Sequence, residues 1–328
     1  LEVTLTEGAN ISPDPARVMD YSHPQKFTVT SEDGNWHKEY SVIIDTFDLP
    51  LRYDFEHYEL NETGKYQVFF EETQGTALFK QYIWASGNSG FALTGVGRNP
   101  QEYPTVSIEN GIDGSRAIKL ETKSTGQFGE TVKMPIAAGN LFLGSFDVNN
   151  AVQKPLKATC FGLPFGKKPL QLKGYYKYTP GTQPFKAKDK NGNTVTIPGQ
   201  EDEGDIYAVL YEAAELDGKA LDGNNVLTSE NIVALARVEV EKKDEFTAFH
   251  VDFHYGSRIP IDWPKFIQDQ RDPSDDGTAP YLSFSEKKMK NYEYNLAVVF
   301  TSSKYGAYFA GSVGSTLCID KVEIVCEK

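Results

Sequence analysis

Beyond Phe55 the sequence is a succession of short, strand-like runs separated by turn signals, and this feature limits the folds open to the chain. The runs are rich in β-branched and aromatic residues, and no stretch between them has a long helical period. They cover residues 67–70, 91–94, 117–122, 141–147, 170–178, 205–212, 232–241, 247–255, 296–301 and 316–325. We therefore predict an all-β fold, a large β-sandwich of the jelly-roll type.

The first 48 residues carry their own pattern. Three runs are typical of strands: residues 3–5, 27–30 and 39–44. The dipeptide Asp33-Gly34 lies between the second and third runs, and Asp-Gly in such a place is a strong hairpin signal. Three strands are too few to close a sandwich. Because the composition changes after Asp48, we predict two domains, residues 1–48 and 49–328.

The charge of the chain restricts its partners. Acidic residues outnumber basic ones by 46 to 33, and the formal net charge is −13. A nucleic-acid backbone or an anionic bilayer attracts basic surfaces, so neither is expected to be the main partner. A neutral, hydroxyl-rich ligand is compatible with this charge. The sequence has no run of 18 or more apolar residues, and no segment is predicted to span a membrane.

Three cysteines are too few for a disulfide framework. Cys318 and Cys326 fall in one predicted strand, where eight residues separate their Cα atoms by about 26 Å, so they cannot bridge each other. Either could still pair with Cys160. We predict free, buried thiols, since cysteine is among the most buried residue types.

Tyrosines on predicted strand faces are the first candidates for a binding site. Asp205, Tyr207 and Tyr211 share one strand face, and Tyr175 shares a face of another strand with two lysines. A tyrosine ring can pack on the apolar face of a pyranose while polar groups beside it bind the hydroxyls. The alternative is that these rings fill the space between two sheets.

Two tryptophans are further candidates for carbohydrate contact. Trp84 ends a strand-like run and leads into a loop rich in Gly, Ser and Asn, and Trp263 lies in a long insertion at residues 256–291. Loops carry ligand contacts more often than framework strands do. For Trp84 an ordinary place in the sandwich core is the competing interpretation.

Catalytic residues cannot be assigned from spacing alone. A glycoside hydrolase needs two carboxylates about 5 to 10 Å apart, and Glu239 and Glu241 would have that spacing on one strand face. No other feature distinguishes this pair, and a chain with 46 acidic residues contains such pairs by chance. Metalloprotease, nucleophile-elbow and phosphate-loop motifs are absent from the sequence.

Two segments resemble jelly-roll carbohydrate-binding modules: the dipeptide Phe55-Glu56, and residues 314–322 with the run 114–120 before them. In many such modules the equivalent Glu and Asp hold a structural Ca²⁺, so the resemblance implies that Glu56 and Asp320 are cation ligands. A backbone cap or a surface ion pair would explain the same residues. No cofactor is otherwise expected to be required.

Residues 54–327 also resemble the "putative carbohydrate metabolism domain" family of Bacteroidota surface lipoproteins. The stretches that carry this resemblance are 84–91, 119–122, 135–142, 174–177, 205–210 and 313–325. Residues 11–13 and 27–34 resemble the immunoglobulin-like segments that precede such domains, with only the later strands present. The resemblance implies a cell-envelope protein, an outer-membrane surface lipoprotein whose signal and lipid anchor lie outside this sequence.

Three hypotheses about function follow. The first is an extracytoplasmic protein that binds an oligosaccharide or polysaccharide during glycan utilisation, with other surface glycan-utilisation proteins as partners. The second is a glycoside hydrolase with an unrecognised carboxylate pair. The third is a structural or assembly component of a cell-surface complex, without a sugar site. Two carboxylates in one cleft would favour the hydrolase, and aromatic rings without such a pair would favour binding.

Overall fold

A computed structural model describes residues 3–17, 25–42, 48–73, 79–216, 219–271 and 277–328 of the chain. The chain forms two compact units, Leu1–Asp48 and Leu49–Lys328. In the described ranges, no helix has the length and hydropathy needed to span a bilayer.

The first unit contains a three-stranded antiparallel sheet in the order β1-β2-β3. Its strands are β1 Asn10–Ser12, β2 Gln25–Thr30 and β3 His37–Val42. The predicted hairpin is present, with Gly34 at a φ of 70° and the Asp33 carboxylate accepting a hydrogen bond from the Asn35 amide. The predicted strand at residues 3–5 is wrong, because the chain pairs with β2 only from Asn10 onward. Residues 43 and 44 of the third run lie outside the described residues.

The second unit is built almost entirely of strands. They are β4 Arg52–Tyr53, β5 Tyr58–Leu60, β6 Gln67–Phe69, β7 Glu71–Thr73, β8 Phe79–Gln81, β9 Trp84–Ala85, β10 Thr105–Ile108, β11 Ala117–Glu121, β12 Lys123–Ser124, β13 Ile136–Ala137, β14 Asn140–Phe146, β15 Thr159–Phe161, β16 Leu163–Pro164, β17 Pro169–Thr179, β18 Lys186–Lys188, β19 Thr194–Thr196, β20 Asp205–Glu212, β21 Ile232–Val238, β22 Lys243–Asp252, β23 His254–Tyr255, β24 Tyr294–Thr301 and β25 Thr316–Cys326. Short helices, interspersed with single 3₁₀ turns, connect them: α1 Asn88–Ala92, α2 Gly126–Thr131, α3 Lys265–Gln268 and α4 Glu286–Lys290.

All the predicted runs of this unit are strands except residues 91–94, which were predicted wrongly. Phe91 belongs to α1, where its amide donates to the carbonyl of Gly87 at 2.9 Å. Its side chain is buried against Tyr103 and Val106. Small residues before Phe91 allow the chain to turn, and this packing favours a helical turn over an extended run.

Two antiparallel sheets form the predicted sandwich. The small sheet has six strands, in the order β10-β11-β25-β17-β22 with β4 beside β25. The large sheet has eight strands, in the order β15-β14-β24-β20-β21-β23, with β9 beside β14 and β16 beside β24. The main core lies between them, because apolar side chains of both sheets form one buried cluster. The fold is therefore the expected all-β sandwich.

Alternation along the strands decides which side chains enter this core. On β20, Ile206, Ala208 and Leu210 point inward and are fully buried. On β17, Tyr176 and Tyr178 point inward and belong to the same cluster. Burying each large apolar side chain contributes roughly 1.5–3 kcal/mol to stability. The side chains between these residues point to the opposite face of each strand, away from the main core.

The three cysteines are free, as predicted, but Cys160 and Cys326 are only half-buried, so the predicted burial is wrong for them. Cys318 is buried, and this burial raises the pKa of its thiol to about 11. At neutral pH the thiol is therefore protonated and packs as a small apolar side chain.

Candidate functional site

A cavity of about 190 Å³ lies on the outer face of the large sheet, away from the main core. Phe142, Tyr207 and Val299, from three neighbouring strands, line it on the sheet side. These side chains alternate with core residues along β14, β20 and β24, so strand geometry directs them outward. We call this cavity the outer-face cleft.

Loops rather than strands close the cleft on its other sides. They contribute residues from the segments 146–159, 223–227 and 303–309, together with Trp263 and Arg271. Trp263 and Arg271 belong to the insertion at 256–291 that the sequence indicated as functional. The Arg271 guanidinium lies 4.2 Å from the centroid of the Trp263 ring, and its Nη1 donates to the Tyr308 hydroxyl at 2.8 Å. These contacts hold the tryptophan ring at the cleft.

Of the cleft residues that the structure describes, three are charged: Asp205, Lys304 and Arg271. Both carboxylate oxygens of Asp205 accept from Arg237, which approaches with Nε at 3.0 Å and Nη2 at 2.6 Å. This bidentate pair is largely buried and holds the Asp205 carboxylate in a fixed orientation. Lys304 donates to Glu203 at 2.8 Å. The cleft thus has charged groups that are already held in place.

Tyr207 is the sequence-predicted tyrosine that the cleft contains. Burial, and to a lesser degree the charge of Asp205, raises the pKa of its hydroxyl well above the usual value. The hydroxyl is therefore protonated, and it makes no hydrogen bond within the described ranges. Tyr207 lines the cleft although only 6% of the residue is exposed, and its hydroxyl is a hydrogen-bond donor for a sugar ligand.

The structure brings only some of the predicted residues together. Asp205, Tyr207 and Trp263 line one cleft. Tyr211 lies on the same strand face but is fully buried, and its hydroxyl donates to the carbonyl of Phe161 at 2.6 Å. Its hydroxyl therefore binds the backbone of β15 and does not face a ligand. Tyr175 lies on the outer face of the small sheet, on the other side of the sandwich.

Trp84 is a core residue, which corrects its prediction as a ligand contact. Only 4% of the side chain is exposed, and its ring lies 5.0 Å from that of Tyr53 and 5.5 Å from that of Phe55. Its Nε1 donates to Glu71 at 2.8 Å. A ring enclosed in this way has no face available for a sugar, and the core interpretation describes it.

Sequence reasoning missed three residues of the cleft, Arg271, Lys304 and Tyr308, and also Arg237, which binds Asp205. They come from three separate parts of the chain, and none belongs to a motif. For Arg271 a partial signal existed, because it adjoins the polar tract in the insertion. The others become neighbours of Asp205 or Trp263 only through folding.

The cleft does not hold the carboxylate pair of a hydrolase. Among its described lining residues, Asp205 is the one carboxylate, and Arg237 occupies both its oxygens. Glu239 and Glu241 are exposed at the end of β21 and beyond it, away from the cleft. This pair therefore does not provide the acid and base of a hydrolase there.

A different carboxyl group has an altered pKa. Glu71 is partly buried, and burial raises its pKa to about 7. The Trp84 indole N–H opposes this shift, whereas the nearby carboxylate of Asp54 adds to it. Glu71 can therefore donate a proton near neutral pH, and Asp54 is exposed beside it.

Glu56 and Asp320, the residues implied as calcium ligands, bind one loop through hydrogen bonds. Asp320 accepts from the Ile112 amide at 2.7 Å and the Ser115 hydroxyl at 2.9 Å, and Glu56 accepts from the Arg116 amide at 3.1 Å. A cation site needs carboxylate oxygens that are not already taken by N–H and O–H donors. This donor set fits the capping alternative better than a cation. Within the described ranges, no group of three or more His, Cys, Asp or Glu side chains could hold a metal.

The fold and the cleft define a class of protein: an all-β sandwich domain with a partly apolar, ligand-sized cleft on one sheet. The family described as "Putative carbohydrate metabolism domain" matches residues 54–325, and the chain belongs to this family. The family described as "SGBP, N-terminal", the N-terminal part of surface glycan-binding proteins, matches residues 2–44.

Two solved structures are similar to the chain over most of its length. A putative glycoside hydrolase from Bacteroides thetaiotaomicron has 42% identity and a TM-score of 0.72, over 99% of this chain and 85% of that one. A putative glycoside hydrolase from Bacteroides vulgatus has 34% identity and a TM-score of 0.68, over 86% of this chain and 100% of that one. No curated protein sequence matches the chain.

Proposed function

We propose that the chain is a glycan-binding protein of the cell surface, which holds a sugar in the outer-face cleft. The observation that carries this proposal is the combination of aromatic rings and a fixed charge at one cavity: Tyr207, Trp263 and Asp205 line it, and Arg237 holds the Asp205 carboxylate in place. Aromatic faces pack on the C–H groups of a sugar, and preorganised polar groups at their edge bind its hydroxyls at little ordering cost.

Binding is favoured over hydrolysis at this cleft. A glycosidase site needs one carboxyl group that gives a proton and a second that acts as base or nucleophile. Both oxygens of Asp205 already accept from Arg237, and removing the carboxylate from that pair would strand a buried guanidinium. The cleft therefore suits a ligand that is held and not cleaved.

The N-terminal match supports a place outside the cytoplasm. A segment like the N-terminal part of surface glycan-binding proteins, followed by a domain of the carbohydrate metabolism family, suits a protein that captures glycans at the cell envelope. We extend the proposal to an outer-membrane lipoprotein that works beside other glycan-utilisation proteins.

Substitution of Trp263 tests the cleft. A glycan array with the whole chain identifies a ligand, and calorimetry then measures its affinity for the protein and for Trp263→Ala. We expect the substitution to weaken binding roughly 30-fold, as removal of a central aromatic contact commonly costs about 2 kcal/mol. Trp36→Ala is the matched control, because Trp36 is 52% exposed in the other unit.

Two outcomes would count against the cleft. If no glycan binds, the proposed function fails as a whole. If a glycan binds and Trp263→Ala retains full affinity, binding takes place elsewhere on the protein. Reducing-end analysis of each bound glycan separates binding from cleavage.

A second candidate function, glycoside hydrolysis, is supported by Glu71 and by the names of the two similar structures. With a pKa of about 7, Glu71 could protonate a leaving group, and Asp54 beside it would be the second carboxylate. If reducing ends are released, we expect Glu71→Gln to lower their rate by at least 100-fold. Glu239→Gln is the control, and equal rates for the two variants would exclude Glu71 as the acid.

A further inference from the structure

We propose that the outer face of the small sheet is a second binding site, for a polysaccharide that carries carboxylate or sulfate groups. The site consists of Lys173, Tyr175 and Lys177 on β17 with Lys119 on β11, and we call it the lysine face. It lies on the opposite side of the sandwich from the outer-face cleft. The proposal therefore goes beyond the sugar held in that cleft.

The strand register brings these side chains to one surface. Lys173, Tyr175 and Lys177 alternate with buried residues along β17, so they point outward, with Tyr175 about 7 Å from each lysine. Cys318 of β25 pairs with Lys119 on one side and with Lys177 on the other. Directly paired residues point the same way, which places Lys119 and Lys177 two strands apart, about 10 Å between their Cα atoms.

In the part of the chain that the structure describes, Lys173 and Lys177 form no ion pair. Within the described ranges, Lys173 and Tyr175 make no hydrogen bond or ion pair through their side chains, and the Lys177 ammonium lies 5.2 Å from the centroid of the Phe246 ring. Lys119 and Lys123 share a single carboxylate, that of Glu121, at 3.0 and 2.7 Å. The surface therefore retains an excess of positive charge.

Two acidic groups beside the lysine face, Asp320 and Glu323, have other partners. Asp320 pairs with Tyr175 in register, but it is fully buried and accepts hydrogen bonds from Ile112 and Ser115. Glu323 pairs with Lys173 in register and lies 3.4 Å from Arg52. Asp320 is therefore occupied by other donors, and Arg52 offsets the charge of Glu323.

The arrangement favours an anionic polysaccharide over other polyanions. A net charge of −13 repels the dense phosphates of nucleic acid and the surface of an anionic bilayer. A local group of lysines can still bind the widely spaced charges of an acidic glycan within the Debye length, about 8 Å at physiological salt. Tyr175, between two lysines, offers a ring on which one pyranose packs while its neighbours contact the ammonium groups.

Binding of polygalacturonate to the whole chain tests this site, with its methyl-esterified form as a neutral probe of the same backbone. We expect polygalacturonate to bind and the esterified polymer to bind at least tenfold more weakly. The double variant Lys173→Gln/Lys177→Gln should lose about tenfold in affinity for polygalacturonate, since two surface ion pairs are removed. Lys190→Gln, in the turn between β18 and β19, is the control. Raising the salt concentration from about 50 to about 500 mM should weaken binding as well.

Several results would overturn the proposal. The proposal fails if both polymers bind equally or if the double variant keeps its affinity. It also fails if neither polygalacturonate nor a sulfated polysaccharide binds, or if a DNA duplex or anionic vesicles bind equally tightly. The test is independent of the cleft, because Trp263→Ala is expected to leave polygalacturonate binding unchanged. A loss in Trp263→Ala alone would assign the acidic polymer to the cleft instead.

Discussion

Trp84→Ala is expected to lower the free energy of unfolding by about 3–5 kcal/mol, the range for removal of a large aromatic side chain from a packed core. Trp84 is in contact with the rings of Tyr53 and Phe55 and is 4% exposed. Alanine would leave a cavity between the sheets and would remove the donor that binds Glu71. Urea unfolding followed by circular dichroism measures the change.

The same variant separates the two interpretations of Trp84. In the absence of urea, where the variant is folded, Trp84→Ala should bind any ligand of the outer-face cleft with unchanged affinity, because Trp84 faces the core. Trp36→Ala should change stability by less than about 0.5 kcal/mol, as exposed positions usually do. If Trp84→Ala keeps the stability of the parent protein and loses glycan binding, Trp84 is a sugar contact and not a core residue.

Asp202→Ala is expected to lower the free energy of unfolding by about 3 kcal/mol at pH 7, because it leaves several buried donors without an acceptor. Asp202 is 2% exposed, and its Oδ2 accepts from the Ser303 and Ser315 hydroxyls and the Ser312 amide at 2.6, 2.7 and 2.8 Å. The same segment of chain, residues 303–309, lines the outer-face cleft. Loss of this carboxylate should therefore loosen the cleft as well.

The pH dependence of Asp202 has a definite sign. Burial raises the pKa of its carboxyl group from 3.8 to about 6, so between these values the folded protein binds the proton that the unfolded chain releases. Stability due to this group is then fully present below about pH 4 and is lost as the pH rises to about 6. The loss is about 3 kcal/mol for a shift of this size.

Asp202→Asn provides the control for both effects. Asparagine keeps an acceptor for Ser312 but does not titrate, so the slope of stability between about pH 4 and pH 6 should disappear while less stability is lost at pH 7 than with alanine. Stability curves from urea unfolding at each pH give this comparison. A slope of the same size in Asp202→Asn would mean that another group produces it.

Local patterns were sufficient for most strands of the sandwich. The run 205–212 is found as β20 with identical limits, because alternation and β-branched residues there agree with burial on one face. The strand prediction for residues 91–94 was wrong because an isolated apolar run is compatible with a strand or a helical turn. Its helical form depends on Tyr103 and Val106, which come later in the chain.

Candidate site residues were harder to predict than strands. Alternation put Asp205, Tyr207 and Tyr211 on one face, and this is how they lie. Whether a side chain on that face meets solvent, a cavity or another loop depends on what covers the sheet. The Tyr211 hydroxyl donates to the carbonyl of Phe161, whereas Tyr207, which is 6% exposed, lines the cleft.

The sequence by itself determined the all-β class, the hairpin of the first unit and the faces of the main strands. These features follow from interactions between residues near in the chain or from a period of two. Only the tertiary structure decided that Trp84 belongs to the core, that Arg237 neutralises Asp205, and that Trp263, Arg271 and Tyr308 meet at one cleft. The physical reason is that burial and charge pairing depend on segments far apart in sequence, and their meeting is fixed by how the loops cover the two sheets.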